Sequence, residues 1–164
     1  MGHDMPNFND VAVTTVFDKV VSYGLATGRF QHVNQHEPKN APGNGLECSV
    51  WVNSVVPIKG SGLNSTSGIV VLYARIYTNF RQQPFDYIDP SVLSAAIDLM
   101  GAMSADFNFG GDAGVRSVDL LGMFASVPLS AQAGYVEIDR QMFRVMTITI
   151  PIIIDDMFIQ GSTT

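Results

Sequence analysis

The sequence from 67 to 80 reads SGIVVLYARIYTNF, and apolar side chains recur at every second position. This alternation is typical of a half-buried β-strand, because successive side chains of a strand point to opposite faces of the sheet. The side chains predicted to face a core are Val70, Leu72, Ala74, Ile76 and Phe80. The opposite, exposed face would carry Tyr73, Arg75, Tyr77 and Asn79. The segment therefore predicts a strand of an antiparallel sheet with one solvated face.

Four further segments have the features of strands, at 46–58, 115–121, 131–138 and 142–154. The apolar side of the first of these would consist of Cys48, Val50, Val52, Val56 and Ile58. Residues 59–66 are rich in Gly and Ser, and we interpret them as a flexible hairpin tip. Pro151 lacks an amide donor, so its end of the last strand is predicted to lie at a sheet edge or a bulge.

Two segments follow the period of an amphipathic helix, at 10–27 and from Asp89 to about Ser104. Gly28 follows the first helix, where a left-handed terminating residue is favoured. The pair Asp89-Pro90 is typical of an N-cap and a first helical turn. The apolar stripe of the first helix is Val13, Val16, Phe17, Val20, Val21 and Gly24. That of the second is Val92, Leu93, Ala96, Ile97, Met100 and Met103.

The predicted elements follow in the order α-β-β-α-β-β-β, which indicates an α+β domain. Its sheet is expected to be mainly antiparallel, with both helices packed on one face. We interpret residues 1–9 as an N-terminal arm and residues 10–160 as a single domain, a usual size for one. The side chains expected to be buried are Val13, Phe17, Val20, Val21, Val70, Leu72, Ala74, Ile97 and Met100.

Composition narrows the possible classes of function. The chain has 164 residues, of which 15% are charged, against an average of about 25% in globular proteins. Low charge leaves much neutral surface, which favours large contacts with other chains. The net charge of −6 argues against a general nucleic-acid binder. No apolar run approaches the ~18 residues of a membrane span, and the first residues lack the features of a signal peptide.

Motifs that would carry chemistry are weak. His32 and His36 have the spacing of a metal pair on a helix, but Pro38 argues against a helix there, so a solvated loop is the favoured interpretation. Cys48 falls on the apolar side of its strand, so we predict that it is a small buried apolar residue. Asp155 and Asp156 are adjacent, so on a strand they would point to opposite faces. We therefore predict no catalytic, cofactor-binding or metal-binding residues, and a chain that is not an enzyme.

Two long polar segments, 31–45 and 59–66, are predicted to belong to interfaces rather than to the core. They are rich in Pro, Gly and Asn, and long loops in a small domain are often functional. The exposed face of the strand at 67–80 could supply a further contact. The candidate subunit-interface residues are His36, Lys39, Asn44, Lys59, Asn64, Tyr73, Arg75 and Tyr77.

Several framework segments resemble the tail-terminator proteins of long-tailed bacteriophages, most closely the versions in phages of actinobacteria. The likeness runs from about residue 10 to residue 160. The segments that carry it are TTVFDKVVSY at 14–23, HEPKNAPGNG at 36–45, ARIYTNF at 74–80, VDLLG at 118–122, and SAQAGY at 130–135 through FRVM at 143–146.

The resemblance implies a structural virion protein that forms a ring, commonly of six copies, on the end of the tail tube. Such a ring stops polymerisation of the tube protein and joins the tail to the head connector, or stopper, protein. DNA would pass through its lumen without specific binding, and no membrane is involved. The expected location is the head–tail junction of the virion, after assembly in the cytoplasm of the host bacterium. The resemblance supplies no catalytic residues and no cofactor.

Two alternatives remain at this point. The chain could be a head-closure (connector) or capsid decoration protein, since neighbouring proteins of the same virions are also small α+β domains. A small hydrolase that uses His32, His36 and a carboxylate is a further alternative. Sensitivity of an activity to His36→Ala would favour the enzyme, whereas ring formation would favour a structural role.

Overall fold

The computed structural model describes residues 10–43, 45–58 and 65–159. The predicted arm at 1–9 lies outside this part of the chain. The elements, in order, are α1 (Asp10–Ala26), β1 (His32–Asn34), β2 (Glu47–Pro57), β3 (Ser65–Asn79), α2 (Ile88–Ala105), β4 (Val115–Val118), β5 (Ser130–Ile138) and β6 (Gln141–Ile159). Short 3-10 turns at Phe85–Tyr87 and Phe109–Gly114 flank α2.

The strands form one sheet in the order β1-β2-β3-β6-β4, and β5 also pairs with β6. All pairings are antiparallel except that of β1 with β2. β6 is the central strand: β3 pairs with one of its edges, whereas β5 and then β4 share the other. The predicted α+β class is confirmed, and β1 is an added strand inside a segment predicted to be irregular.

Both helices pack on one face of this sheet, as predicted. Val16 and Val20 of α1 and Val92 and Leu99 of α2 are at most 1% exposed. They belong to one cluster with alternate residues of the two central strands, Val70, Leu72, Ala74, Ile76, Ile148, Ile150 and Ile152. The predicted alternation of β3 on this face is therefore confirmed from Val70 to Ile76. Phe80 follows the end of the strand and is 45% exposed, so its predicted position facing the core is wrong. Phe17, Val21 and Met100 are only partly buried at the rim of the cluster, and the side chain of Val13 lies outside the described part.

The face that α2 presents to the sheet differs from the prediction. Ile97 is 58% exposed, so its predicted burial is wrong. Leu93, which belongs to the predicted apolar stripe, is 50% exposed. The helix carries two overlapping apolar stripes, and the one containing Ala95 and Ala96 lies against the sheet, because small side chains allow close approach. The buried residues are Ile88, Val92, Ala95, Ala96, Leu99 and Met103.

The start of α2 also differs from the prediction. Tyr87 occupies the N-cap, and the helix begins at Ile88. The carboxylate of Asp89, predicted to cap the helix, instead accepts a hydrogen bond of 2.9 Å from Nε of Arg144 on β6. The ion pair thereby joins the first turn of α2 to the central strand.

A bulge between Val52 and Ser54 ends the predicted alternation of β2. Cys48 and Val50, before the bulge, are fully buried, whereas Val52 and Val56 are 53% and 47% exposed. The expectation that both of these valines face the core is therefore wrong. An extra residue on one strand shifts all later side chains relative to the partner strand. Only the first half of β2 therefore contributes to the core.

The last strand also runs differently around Pro151. This residue is buried in the central strand, so of the two predicted positions the sheet edge is wrong. A register shift does occur further along this end of the strand, between the residues paired with Thr66 and Gly68. The carbonyl of Pro151 accepts a hydrogen bond of 2.8 Å from the amide of Asp119. The N and C=O groups of one strand residue point to the same side. The missing amide donor therefore lies at the break between the β5 and β4 pairings, which end at Thr149 and begin at Ile152.

Candidate assembly surfaces

The predicted interface residues fall into three groups, namely accessible, buried and outside the described residues. In the accessible group, His36 and Lys39 are exposed, and Tyr73 and Arg75 are half-buried. Tyr77 is only 1% exposed, so the expectation that it lies on an exposed face of β3 is wrong. Asn44, Lys59 and Asn64 lie outside the described residues. The role of the accessible residues in an interface stays a prediction.

Tyr77 is buried because a loop covers it. We call residues 35–43 the proline loop. Ala41 of this loop packs against a cluster of Tyr77, Phe143 and Val145 on the sheet face opposite the helices. The amide of Ala41 donates a hydrogen bond of 2.8 Å to the carboxylate of Asp139 in the β5–β6 turn. Burial raises the pKa of Tyr77 to about 12. Part of a segment predicted to serve only in interfaces therefore helps to close the core.

The middle of the same sheet face is open and polar. Arg75 donates a hydrogen bond of 2.8 Å from Nε to the hydroxyl of Thr147. Its guanidinium carbon lies 5.3 Å from the centre of the Trp51 ring. Trp51 in turn meets Tyr73 edge to face, with ring centres 6.1 Å apart. These contacts hold the predicted residues Tyr73 and Arg75 in fixed positions on the accessible part of the sheet.

A second loop, which we call the apolar loop (residues 120–129), covers the other end of this face. It follows Asp119, which is 4% exposed. The Asp119 carboxylate accepts hydrogen bonds from the amides of Met123, Phe124 and Ala125, at 2.8, 2.9 and 2.6 Å. Burial opposes ionisation of Asp119, but these amide bonds together outweigh it and lower the pKa. One ionised side chain thus fixes the start of the loop.

The fixed loop presents large apolar side chains to solvent. Leu121 is 83% exposed, Met123 is 78% exposed and Phe124 is 55% exposed. Ala125 points the other way and packs on the cluster of Ile69, Val71 and Ile153. The loop is therefore anchored to the sheet on one side and open on the other. Our sequence interpretation placed Leu121 at the end of a strand and did not single out this surface.

The outer edge of β2 forms a second exposed apolar surface. We call Val52, Val55 and Val56 the valine edge; each is between 47% and 53% exposed. β1 pairs with β2 only from Glu47 to Ser49. Within the described residues, no other strand pairs with this side of β2. An open, apolar strand edge is a place where another chain can bind.

A groove where β3 ends and β6 begins has a volume of about 910 Å³. Phe80 and Tyr135 line it and meet edge to face, with ring centres 5.8 Å apart. The guanidinium of Arg144 lies 4.4 Å from the centre of the Tyr135 ring and is paired with Asp89. Arg81 and Arg140 also line the groove, which could accept an anionic or aromatic group.

Residues with catalytic potential are not arranged as a reaction centre in the part of the chain that the structure describes. Cys48 is fully buried, and burial raises its pKa to about 12, which leaves the thiol protonated. Asp155 forms a salt bridge with Arg116. His32 and His36 are both exposed. Among the described residues, no three His, Cys, Asp or Glu side chains come close enough together to hold a metal ion.

No protein-family model matches this chain, and a search of curated protein sequences finds no significant match. Neither α1 nor α2, nor any other helix in the described ranges, has the length and apolarity needed to cross a membrane.

Proposed function

We propose that this chain is a structural subunit of a ring that caps a phage tail tube, stops its growth and joins it to the head connector. The observation that carries the assembly role is the apolar loop, which Asp119 holds in place while Leu121 and Met123 remain exposed. Exposed apolar surface of this kind marks sites of protein contact. The place of the ring in the virion rests on the resemblance of the framework segments.

Energetics support a contact surface at the apolar loop. Full burial of an exposed Leu or Met side chain contributes roughly 1.5–3 kcal/mol. The main cost of using a loop for binding is the ordering of its backbone and side chains. Asp119 lowers that cost, because its carboxylate already orders the loop through the amides of Met123, Phe124 and Ala125 before binding. Binding through this loop therefore requires less additional ordering of its backbone.

The chain also has the two different surfaces that a closed ring needs. In a ring, each subunit binds its neighbours through two distinct patches. The apolar loop and the valine edge lie on different strands and connections, and both are exposed. The overall charge of −6 suits a lumen through which DNA passes without binding, because phosphate contacts dominate affinity for nucleic acids.

The test is assembly of particles from which this chain is missing. We expect tails of uncontrolled length that do not join heads. Wild-type chain supplied in trans should restore normal length, whereas chain with Leu121→Asp should not. Tails of normal length that lack heads would contradict the terminator function and favour the head-closure alternative. Complete particles that lack only an outer capsid protein would favour the decoration alternative.

A further inference from the structure

We infer that the apolar loop of one copy docks on the valine edge of the next copy, and that this pairing is the subunit contact. The inference rests on the proposed function, because it names the contact by which the ring would form. It starts from the positions of the two surfaces in the sheet, which the strand registers define.

The valine edge and the strand end from which the apolar loop leaves lie at the same height, at the two ends of one row of paired residues. Val55 is paired with Val70, Val70 with Ile152, and Ile152 with Val118. Asp119 and the apolar loop follow Val118 directly. Neighbouring strands are about 4.8 Å apart, so this row of four residues spans roughly 14 Å. A copy placed beside the first at the same height would therefore bring its valine edge to the end of β4, where the apolar loop begins.

The two surfaces match in chemistry. No charged residue lies between Glu47 and Lys59, and none lies between Asp119 and Glu137. The large side chains that each surface exposes are apolar, namely Val52, Val55 and Val56 on one and Leu121, Met123 and Phe124 on the other. The guanidinium of Arg116 lies 5.9 Å from the centre of the Phe124 ring, beside this surface. Depletion of charge at the centre is the compositional signal of a stable protein interface. Binding of a charged partner surface to either of them would bury charged groups without partners, which is unfavourable. Binding of the two apolar surfaces to each other avoids this cost.

The valine edge is suited to side-chain docking rather than to the addition of a strand. The bulge between Val52 and Ser54 disrupts the regular row of backbone donors and acceptors. Pro57 removes another donor near the end of the strand. Val52 and Val55 lie opposite Leu72 and Val70, while Val56 lies opposite Ile69, so the exposed valines wrap both sides of the edge. The apolar loop can therefore contact them from the side.

Because the two surfaces differ, the contact is head-to-tail. Every copy then binds one neighbour through its apolar loop and the other neighbour through its valine edge. Repetition of this contact closes a ring if the rotation between copies is suitable. A head-to-tail contact has a property that a two-fold contact lacks. Two chains with opposite defects still share one intact contact when they are mixed.

The first experiment uses Leu121→Asp and Val55→Asp, each followed by sedimentation velocity. Each variant alone is expected to bind itself at least about tenfold more weakly than wild type, as for a residue at the centre of an interface. The matched control is Leu25→Asp on α1, an exposed leucine (59%) outside both surfaces. It should assemble like wild type. Assembly that is unchanged in both test variants would overturn the inference.

Mixing the two variants is the decisive measurement. The Leu121→Asp chain keeps its valine edge, and the Val55→Asp chain keeps its apolar loop. An equimolar mixture is therefore expected to form one-to-one pairs and no larger species. Circular dichroism and thermal melting of each variant confirm that it is folded. Folded variants that stay monomeric when mixed, or that form rings, would overturn the head-to-tail pairing.

A cross-linking measurement does not depend on strong assembly or on an introduced charge. Leu121→Cys and Val55→Cys chains are mixed at high concentration with a short bismaleimide. Cys48 is fully buried and does not compete for the reagent. Mixed dimers are expected to exceed like-with-like dimers clearly. A yield of mixed dimers no greater than that of Leu25→Cys mixed with Val55→Cys would overturn the contact.

These outcomes are separate from those that test the proposed function. In one outcome, rings form and depend on both surfaces, but removal of the chain leaves tails of normal length. This result would contradict the terminator function and support the contact. Tails of uncontrolled length in the absence of the chain, together with rings that persist in the Leu121→Asp variant, would support the function and overturn the contact.

Discussion

The two loops on the sheet face opposite the helices reverse what their compositions suggest. The proline loop is mostly polar and contains two prolines, yet its Ala41 helps to cover the buried Tyr77 and Phe143. The apolar loop contains Leu121 and Met123, yet it leaves them in solvent. Hydropathy alone would assign the first loop to the surface and the second to the core. The difference comes from how each backbone is held.

The proline loop is held by a hydrogen bond to a residue distant in sequence, whereas the apolar loop is held by Asp119, the residue directly before it. The amide of Ala41 donates to Asp139, a residue distant in sequence, and this bond ties the loop to the β5–β6 turn. Asp119 satisfies three consecutive amides of the apolar loop locally. The large apolar side chains of the loop, Leu121 and Met123, therefore face outward without leaving these amides unpaired. Satisfaction of backbone polar groups, more than side-chain hydropathy, decides which way each loop turns.

The largest expected effect comes from removing what the proline loop covers. Phe143 is fully buried beneath it. Phe143→Ala should lower the free energy of unfolding by about 3–5 kcal/mol, as large core truncations do. Urea denaturation measures the change. Phe85→Ala, at a site that is 61% exposed, is the matched control and should lie close to wild type. A loss for Phe143→Ala no larger than that of the control would contradict this packing.

A smaller effect is expected from removing the anchor of the apolar loop. Asp119→Ala leaves three amides without their acceptor and should cost roughly 2–3 kcal/mol, typical of the loss of hydrogen bonds to a charged group. Amide hydrogen exchange at Met123, Phe124 and Ala125 should become faster. Asp86→Ala, at an exposed aspartate, provides the comparison. Unchanged exchange at these three amides would show that Asp119 does not order the loop.

Acid should weaken the same anchor reversibly. The pKa of Asp119 is lowered in the folded chain, because the amide bonds outweigh the opposing effect of burial. The stabilisation is therefore complete above the ordinary aspartate pKa of about 3.9 and is lost as the pH falls from there through the lowered value. We expect the stability difference between wild type and Asp119→Asn to shrink over that range in urea titrations. A difference that grows towards acid pH would mean that the sign is wrong.

The smallest effect on folding is expected at the exposed residue of the apolar loop. We introduce Leu121→Ser into the Val55→Asp variant, in which the proposed subunit contact is already broken. Relative to Val55→Asp alone, the free energy of unfolding should change by less than about 0.5 kcal/mol. Leu121 is 83% exposed and contributes little to the isolated fold. Calorimetry of the single and double variants measures the difference. A loss above 1–2 kcal/mol, beyond the usual range for surface changes, would show that Leu121 supports the core after all.

Strong periodicity made the sheet and the helices predictable. The alternation that buries Leu72 and Ala74 is visible in the sequence, and so is Gly28, which ends α1 in the predicted left-handed conformation. Prediction failed where the pattern was ambiguous. On α2 two apolar stripes overlap, and only the packing selects the one with Ala95. On β2, nothing in the alternation announces the bulge that exposes Val56.

The surfaces proposed for assembly were harder to find in the sequence. Tyr77 alternates with core residues in β3, and its burial depends on a loop that is distant in sequence. The apolar loop did leave a signal, because no charge occurs from Leu120 to Val136. That signal cannot separate an exposed loop from a buried strand. The distinction depends on the three amide bonds to Asp119, which become visible only in three dimensions.

The position of β6 has a consequence for how the chain folds. The central strand of the sheet follows every other described element, and its main partner, β3, lies far upstream: Leu72 pairs with Ile150. Pairing over such a distance closes a large loop and is slow. Until β6 has been synthesised, β3 lacks the partner for its inner edge, although β2, α1 and α2 are already present. We expect amide protons of β3 and β6 to gain protection together, in one late step, and the stage with this unpaired strand edge to be the one most exposed to aggregation.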